Sequence, residues 1–144
     1  MPSKGEMNMK PYIHKVNYYE TDKMGITHHS NYIRFMEEAR LDYMAQLGFG
    51  WDKMEALGIS SPVVALECSY KKATTFPDEI EITVKVEKVS AFKLVVSYEM
   101  RTGKNVVFTG TSTHCFLGTS GKPVMLEKEQ PEMWQALKLN EESL

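Results

Sequence analysis

Apolar and polar residues alternate in two neighbouring stretches of the chain. Ile80, Ile82, Val84 and Val86 are interleaved with Glu79, Glu81, Thr83, Lys85 and Glu87, and Phe92, Leu94, Val96, Tyr98 and Met100 with Lys93, Val95, Ser97 and Glu99. A period of two gives each stretch one apolar face, the pattern of a half-buried strand. The short Ser90-Ala91 connector and the Thr102-Gly103-Lys104-Asn105 turn predict successive antiparallel hairpins, the second leading into a strand from Val106 to Leu117 that Gly118 to Pro123 closes. Val63 to Tyr70, after Pro62, reads as another strand, with a corner at Phe76-Pro77-Asp78. Tyr12 to Tyr18 also alternates, without a clear-cut buried face.

The period changes between Asn31 and Leu47. Tyr32, Met36, Ala39, Tyr43 and Leu47 recur at steps of three and four, which predicts one long helix with a single apolar stripe and with Arg34, Glu38 and Leu41 opposite. Ser30 is placed to cap its start, and Gly48 and Gly50 to stop it. Pro131 followed by Met133, Trp134 and Leu137 predicts a short C-terminal helix. Residues 1–10 are polar, Met-rich and aperiodic, and read as a flexible leader before a single domain over 11–144.

One long helix followed by four strands, with one strand before it, is an α+β arrangement in which an antiparallel sheet of about five strands buries a face on the helix. A chain of 144 residues can hold a core but leaves a sheet edge and a second face to protect, so a homodimer or homotetramer is expected. The net charge of −2, without long runs of either sign, gives no indication of nucleic-acid binding. No segment reaches the roughly 18 apolar residues of a membrane span, and the protein is expected in the cytoplasm. Cys68 and Cys115 stand alone in apolar segments and read as reduced, buried thiols. His28 and His29 are adjacent, but their side chains are expected to diverge, and no metal site is evident.

Candidate chemistry concentrates in Tyr18 to Tyr32, between the first strand and the helix. A helix start exposes unpaired N–H groups and a partial positive charge able to polarise a carbonyl. His29 sits at that start. Asp22, seven residues earlier on a loop held by Gly25, can be brought back towards the same point to act on a carbonyl carbon or on water, a geometry suited to acyl transfer. On spacing alone, an Asp at this place is more often a turn residue, and His28 and His29 are more often ordinary helix-start residues than catalytic ones.

The string YYETDKMGITHHSNYIRFMEEAR resembles the signature of the 4-hydroxybenzoyl-CoA thioesterase family of hot-dog proteins: Thr21-Asp22, Gly25, His29, Tyr32, Phe35, then Glu37-Glu38-Ala39-Arg40, with Tyr70, Phe76 and Asp78 matching a later pattern. The likeness runs from about Tyr12 to Pro123. It implies a hot-dog fold, with the sheet wrapped around the helix and active sites where two subunits meet, and it implies hydrolysis of an acyl-CoA without a cofactor beyond the coenzyme A of the substrate. Asp22 would be nucleophile or general base and the backbone N–H at His29 the carbonyl polariser, with its imidazole assisting orientation or proton transfer. Gly25, His28 and Tyr32 would shape the substrate site; Lys71, Lys72 and the connector from Ser90 to Lys93 could meet coenzyme A phosphates, since ammonium groups and exposed amides favour anions, but such charges are more often simply solvated. Lys23, Met24, His28 and Ala73 depart from the family pattern, which bears on substrate preference. The competing readings are a non-catalytic acyl-CoA or acyl-carrier-protein binding module, disfavoured by retention of Asp22, and a hydratase, for which the Asp and His spacing is missing.

Overall fold

The computed structural model describes residues 9–141. Chain order is β1 (Tyr12–Lys15), a 3-10 turn (Tyr18–Glu20), α1 (Asn31–Gln46), α2 (Trp51–Leu57), β2 (Val63–Tyr70), β3 (Glu79–Val89), β4 (Lys93–Thr102), β5 (Asn105–Cys115), α3 (Leu126–Glu129) and α4 (Pro131–Leu139). Residues 1–8 of the expected leader lie outside the described residues. Lys10 is tied to α1, its N–H donating to Gln46 Oε1 at 2.9 Å and its carbonyl accepting from Gln46 Nε2 at 3.0 Å.

The strands form one antiparallel sheet in the order β1-β3-β4-β5-β2. Both expected hairpins are present. The second is tight, with Thr102 paired to Asn105 across Gly103, whose φ of 59° is a left-handed conformation glycine adopts without strain. β2 crosses to the far side and pairs with β5, so β1 and β2 are the two edges. One cross-sheet row runs Tyr12, Ile82, Met100, Phe108, Tyr70, and another, nearer the opposite end, Val89, Leu94, His114, Val63.

The alternation in β3 and β4 places Ile80, Ile82, Val84, Val86, Leu94, Val96, Tyr98 and Met100 on the buried face. Phe92, read as part of that face, precedes β4 in the turn and is exposed. α1 contributes Tyr32, Phe35, Met36, Ala39 and Tyr43 to the core; the stripe read from sequence lacked Phe35, and Leu47 is only partly buried. Leu41 is exposed. Beyond the one long helix and the short C-terminal helix expected, the described residues include two further short helices, α2 and α3. α1 has 16 residues, α4 adds Met133 and Leu137 to the core, and α2 has no buried residue, hence no apolar period to announce it.

Three local expectations are corrected. Ser30 has helical dihedrals (φ −64°, ψ −25°) and makes no side-chain cap bond. Instead His28 Nδ1 accepts from the Ser30 N–H at 3.2 Å and meets the Ser30 hydroxyl at 2.9 Å, so an imidazole takes the capping place. Gly48, at φ 94°, closes α1 as expected, whereas Gly50 is the N-cap of α2. Cys68 and Cys115 are free thiols but only partly buried, Cys68 because it lies on the uncovered edge strand β2.

A polar chain crosses the core near the β2 end of the sheet. His114, fully buried, directs Nδ1 at the Ser61 carbonyl (3.0 Å) and Nε2 at the Ser112 hydroxyl (2.7 Å); Ser112 meets Tyr98 OH at 2.7 Å, and Arg40 of α1 donates to Tyr98 OH at 3.5 Å. A carbonyl only accepts and a guanidinium only donates, so the chain runs one way and leaves Nε2 as an acceptor. Burial first, and then the Arg40 charge, hold the His114 imidazolium below its ordinary 6.5. The unfolded chain therefore takes up the proton first, and the contribution of neutral His114 is present above about pH 6.5 and is lost as pH falls from there through the folded value. Urea midpoints at pH 7.5 and 5.0 are expected to differ more for the native protein than for His114→Gln; equal differences would remove this assignment.

Candidate active site

The loop from Asp22 to Ser30 is closed on itself before it meets α1. Asp22 N–H donates to the Ile26 carbonyl at 2.8 Å, Gly25 N–H to the Asp22 carbonyl at 2.9 Å, and Thr21 pairs with Thr27. Gly25 has φ 79°, a left-handed position that a side chain would strain. Its carbonyl accepts from the Thr75 hydroxyl at 2.6 Å, and Thr27 N–H donates to the Thr74 carbonyl at 2.8 Å, which fastens the loop to the segment after β2.

Asp22 is partly exposed. Its Oδ1 accepts from the Met24 N–H at 2.8 Å, and Oδ2 has no partner among the described residues. At the far end of the loop the carbonyls of His28 and His29 accept from Asn31 and Tyr32 N–H at 3.0 and 3.3 Å, so helical turns begin at His28. The His29 N–H has no partner among the described residues, whereas its carbonyl also accepts from Tyr70 OH at 3.1 Å. The rings of His28 and His29 stack, with centroids 4.3 Å apart, against the expectation that they diverge.

A cavity of about 270 Å³ is lined by Asp22, Ile26, Thr27, His29, Tyr32, Tyr70, Lys71, Lys72 and Ala73. The structure thus brings together Asp22, His29, Tyr32, Lys71 and Lys72. Tyr32 serves it as a wall: its hydroxyl is buried against Thr74 Oγ1 at 2.8 Å, and burial raises its pKa above 10.0. Its ring stacks on Phe108 at 5.2 Å, and Tyr70 stands edge-on to Tyr32 and Phe108 at 5.4 and 5.2 Å. Lys72 Nζ donates to Asn105 Oδ1 at 3.2 Å, while Lys71 Nζ has no partner among the described residues.

Three predicted site residues do not line this cavity: Gly25, whose part is to turn the loop, His28 and Ser90. His28 faces a second, polar cavity with Tyr19, Glu20, Thr21, Ser30, Asn31, Arg34 and Glu38. Ser90 stands in the β3–β4 turn, its N–H on the Lys93 carbonyl, near the opposite end of the sheet. Phe108 and His114 mark the two ends along β5, and six residues at ~3.3 Å each put them about 20 Å apart. Sequence reasoning did not place Tyr70, Thr74 or Glu20 in the site; Tyr70 at a strand end was quoted, but its bond to His29 joins residues 41 positions apart. Among the described residues no group of three or more His, Cys, Asp or Glu could hold a metal ion, and no helix is long and apolar enough to cross a membrane.

Asp22, partly exposed, and His29, whose amide is unpaired among the described residues, thus line one cavity. Residues 16–137 match the model of the thioesterase-like superfamily, and the chain belongs to that family. It is 35% identical to the DHNA-CoA thioesterase of Staphylococcus aureus, whose structure superposes with a TM-score of 0.84 over 90% of this chain and 88% of that one. It is also 27% identical over 128 residues to the acyl-CoA thioesterase YbgC of Haemophilus influenzae (86% of this chain, 93% of the relative). With the 1,4-dihydroxy-2-naphthoyl-CoA hydrolase of Thermosynechococcus vestitus it shares 24% identity over 110 residues (74% and 75%). The protein is a thioester hydrolase with the hot-dog fold of these relatives.

Proposed function

We propose that the protein hydrolyses an acyl-CoA to the free acid and coenzyme A, with Asp22 attacking the thioester carbonyl or activating water and the His29 N–H polarising the carbonyl oxygen. The observation that carries this reading is that His29, whose amide has no partner among the described residues, lines the same cavity as Asp22. The motif residues around Asp22 support placement in the 4-hydroxybenzoyl-CoA branch. Lys71, whose ammonium has no protein partner among the described residues, is the stronger candidate for coenzyme A phosphates than Lys72, which holds Asn105. Asp22→Asn should lower thiol release from a responsive acyl-CoA by about a hundredfold or more at equal folded concentration, the scale of losing a catalytic group. Unchanged turnover would refute the role of Asp22, and tight acyl-CoA binding without turnover by the native protein would favour the binding-module alternative.

Tyr70 is half-exposed over this cavity, edge-on to His29 at 6.3 Å, and presents an aromatic wall to the acyl group. Together with the naphthoyl substrate named for one relative, this favours an aromatic acyl chain. Across a panel of matched size, aryl-CoA esters should exceed alkyl esters in kcat/KM, and Tyr70→Ala should narrow the gap; equal values for both classes in the native enzyme would refute the preference.

The enzyme works as a dimer on this proposal. β2 is an edge strand exposed on both faces, with Val63, Val64, Leu66 and Tyr70 all uncovered. An apolar edge of this kind pairs readily with another strand. Two-fold antiparallel pairing of β2 with its copy would bring the Ser90 end of one subunit towards the Asp22 end of the other. Sedimentation should give at least a dimer, and Leu66→Lys should shift it towards monomer with loss of activity; a monomeric, fully active native protein would overturn the proposal.

A further inference from the structure

Behind the Asp22 loop, on the side away from its cavity, three side chains from three parts of the chain converge. His14 points inward from β1, 8% exposed, although its neighbour Ile13 is half-exposed; an imidazole has displaced an isoleucine from the core side of the strand. Its Nε2 lies 2.9 Å from Glu20 Oε1 and its Nδ1 3.2 Å from Glu38 Oε1 on α1. Phe35, also on α1, lies against the ring with centroids 4.0 Å apart. Glu20 is 7% exposed, and the same Oε1 accepts from the Asn17 N–H at 2.7 Å. Burial and the Glu38 carboxylate push Tyr12 up to about 12, so its hydroxyl stays protonated and donates to Glu38 Oε1 at 2.8 Å. His14 thus bridges the two acids, with one ring nitrogen at hydrogen-bond distance from each.

A buried His between acids is most simply a structural clamp, and its location gives this one a further consequence. The Glu20 carbonyl accepts from the His28 N–H at 2.8 Å and from Asn31 Nδ2 at 2.9 Å. Two residues beyond Glu20 is Asp22. One residue beyond His28 is the free His29 N–H. Glu20 is therefore joined, within two residues on each side, to both halves of the candidate site, and His14 is what anchors the Glu20 side chain to β1 and α1.

We infer that His14 is a positioning residue for the reaction: through Glu20 it sets the separation of the Asp22 carboxylate from the His29 amide. The inference rests on the thioesterase reading above. Without the imidazole, the Glu20 side chain loses its link to β1 and to Glu38 of α1 and keeps only its bonds to Asn17, so the loop can shift with its two reacting groups no longer in register. A misplacement of about 1 Å at reacting atoms costs up to roughly a hundredfold in rate.

The test measures kcat, KM and thermal melting for the native enzyme, His14→Ala, Asp22→Asn and the double variant on one responsive acyl-CoA. His14→Ala is expected to lower kcat about tenfold or more with KM within about twofold of native, because orientation and not binding is lost. In the Asp22→Asn background the same change should cost little further, since the group being positioned is gone. Native kcat in folded His14→Ala overturns the inference, as does an equal loss in both backgrounds or a loss that only tracks the unfolded fraction. Should His14→Ala not fold, Glu20→Gln keeps the side-chain shape and an acceptor oxygen but weakens the bond from His14; a several-fold lower kcat at unchanged KM supports the inference and native kcat overturns it. If the native enzyme cleaves no ester, it is the thioesterase reading that fails, and this inference falls with it.

Discussion

The site depends on where α1 begins, and that is fixed by burial of its apolar side chains on the sheet. Phe35, Met36 and Ala39 are excluded from solvent against the inner residues of β3 and β4, and the ring of Tyr32 stacks on Phe108 of β5. Fully burying a side chain of the Phe or Met class is worth about 1.5–3 kcal/mol, so sliding α1 along its axis by even one residue would forfeit more than any single loop contact returns. With the helix held, its first free amide is held too. The loop then needs only to return Asp22 to that end, which it does through the Asp22–Ile26 and Thr21–Thr27 pairings and the bonds to Thr74 and Thr75.

The elements legible from sequence were those whose burial has a period. β3, β4 and the two hairpins followed from alternation and turn chemistry, and α1 from its three-and-four spacing, because each has one face in a single environment. α2 was not legible, since none of its residues is fully buried and Met54 alone packs partly on the core, which leaves no period. β1 was read without a buried face because its inward residue is His14, whose place is decided by Glu20 and Glu38, 6 and 24 positions away. Ser30 was read as a cap by residue type, but the helical turn starts two residues earlier, at a histidine whose ring nitrogen substitutes for the usual oxygen. In the site, Asp22 and His29 were within reach of a motif because the loop is contiguous. Tyr70 and Thr74 join it only through a sheet whose order, β1-β3-β4-β5-β2, departs from chain order.

The two readings of Asp22 that the spacing left open do not exclude one another. One carboxylate oxygen accepts from Met24 N–H, as a turn aspartate does, and the other has no partner among the described residues. A turn bond of this kind restricts rotation about the side chain, so the second oxygen is presented in one direction at little additional entropic cost when substrate arrives. Orientation is the larger part of what a small site can offer. On the proposed reading polarisation comes from one amide and a helix end, whose partial charge falls off within a turn. The weaker the polarising field, the more the rate depends on the distance between donor and carboxylate.

That dependence explains why so many hydrogen bonds in this molecule lie behind the loop and not in front of it. The Asp22 cavity is open and only partly polar, whereas its rear carries the His14, Glu20, Glu38 and Tyr12 cluster and the Glu20 carbonyl with two donors. Buried polar groups are costly unless each is satisfied, and no buried side-chain nitrogen or oxygen among the described residues lacks a partner. An apolar filling of the same space would stabilise the fold at least as well. What an apolar filling lacks is direction: van der Waals contacts tolerate sliding, while a carboxylate gripped by an imidazole and a backbone amide at 2.7 to 2.9 Å does not. The polar rear of the loop is therefore better explained by the need to hold two groups in register than by stability alone.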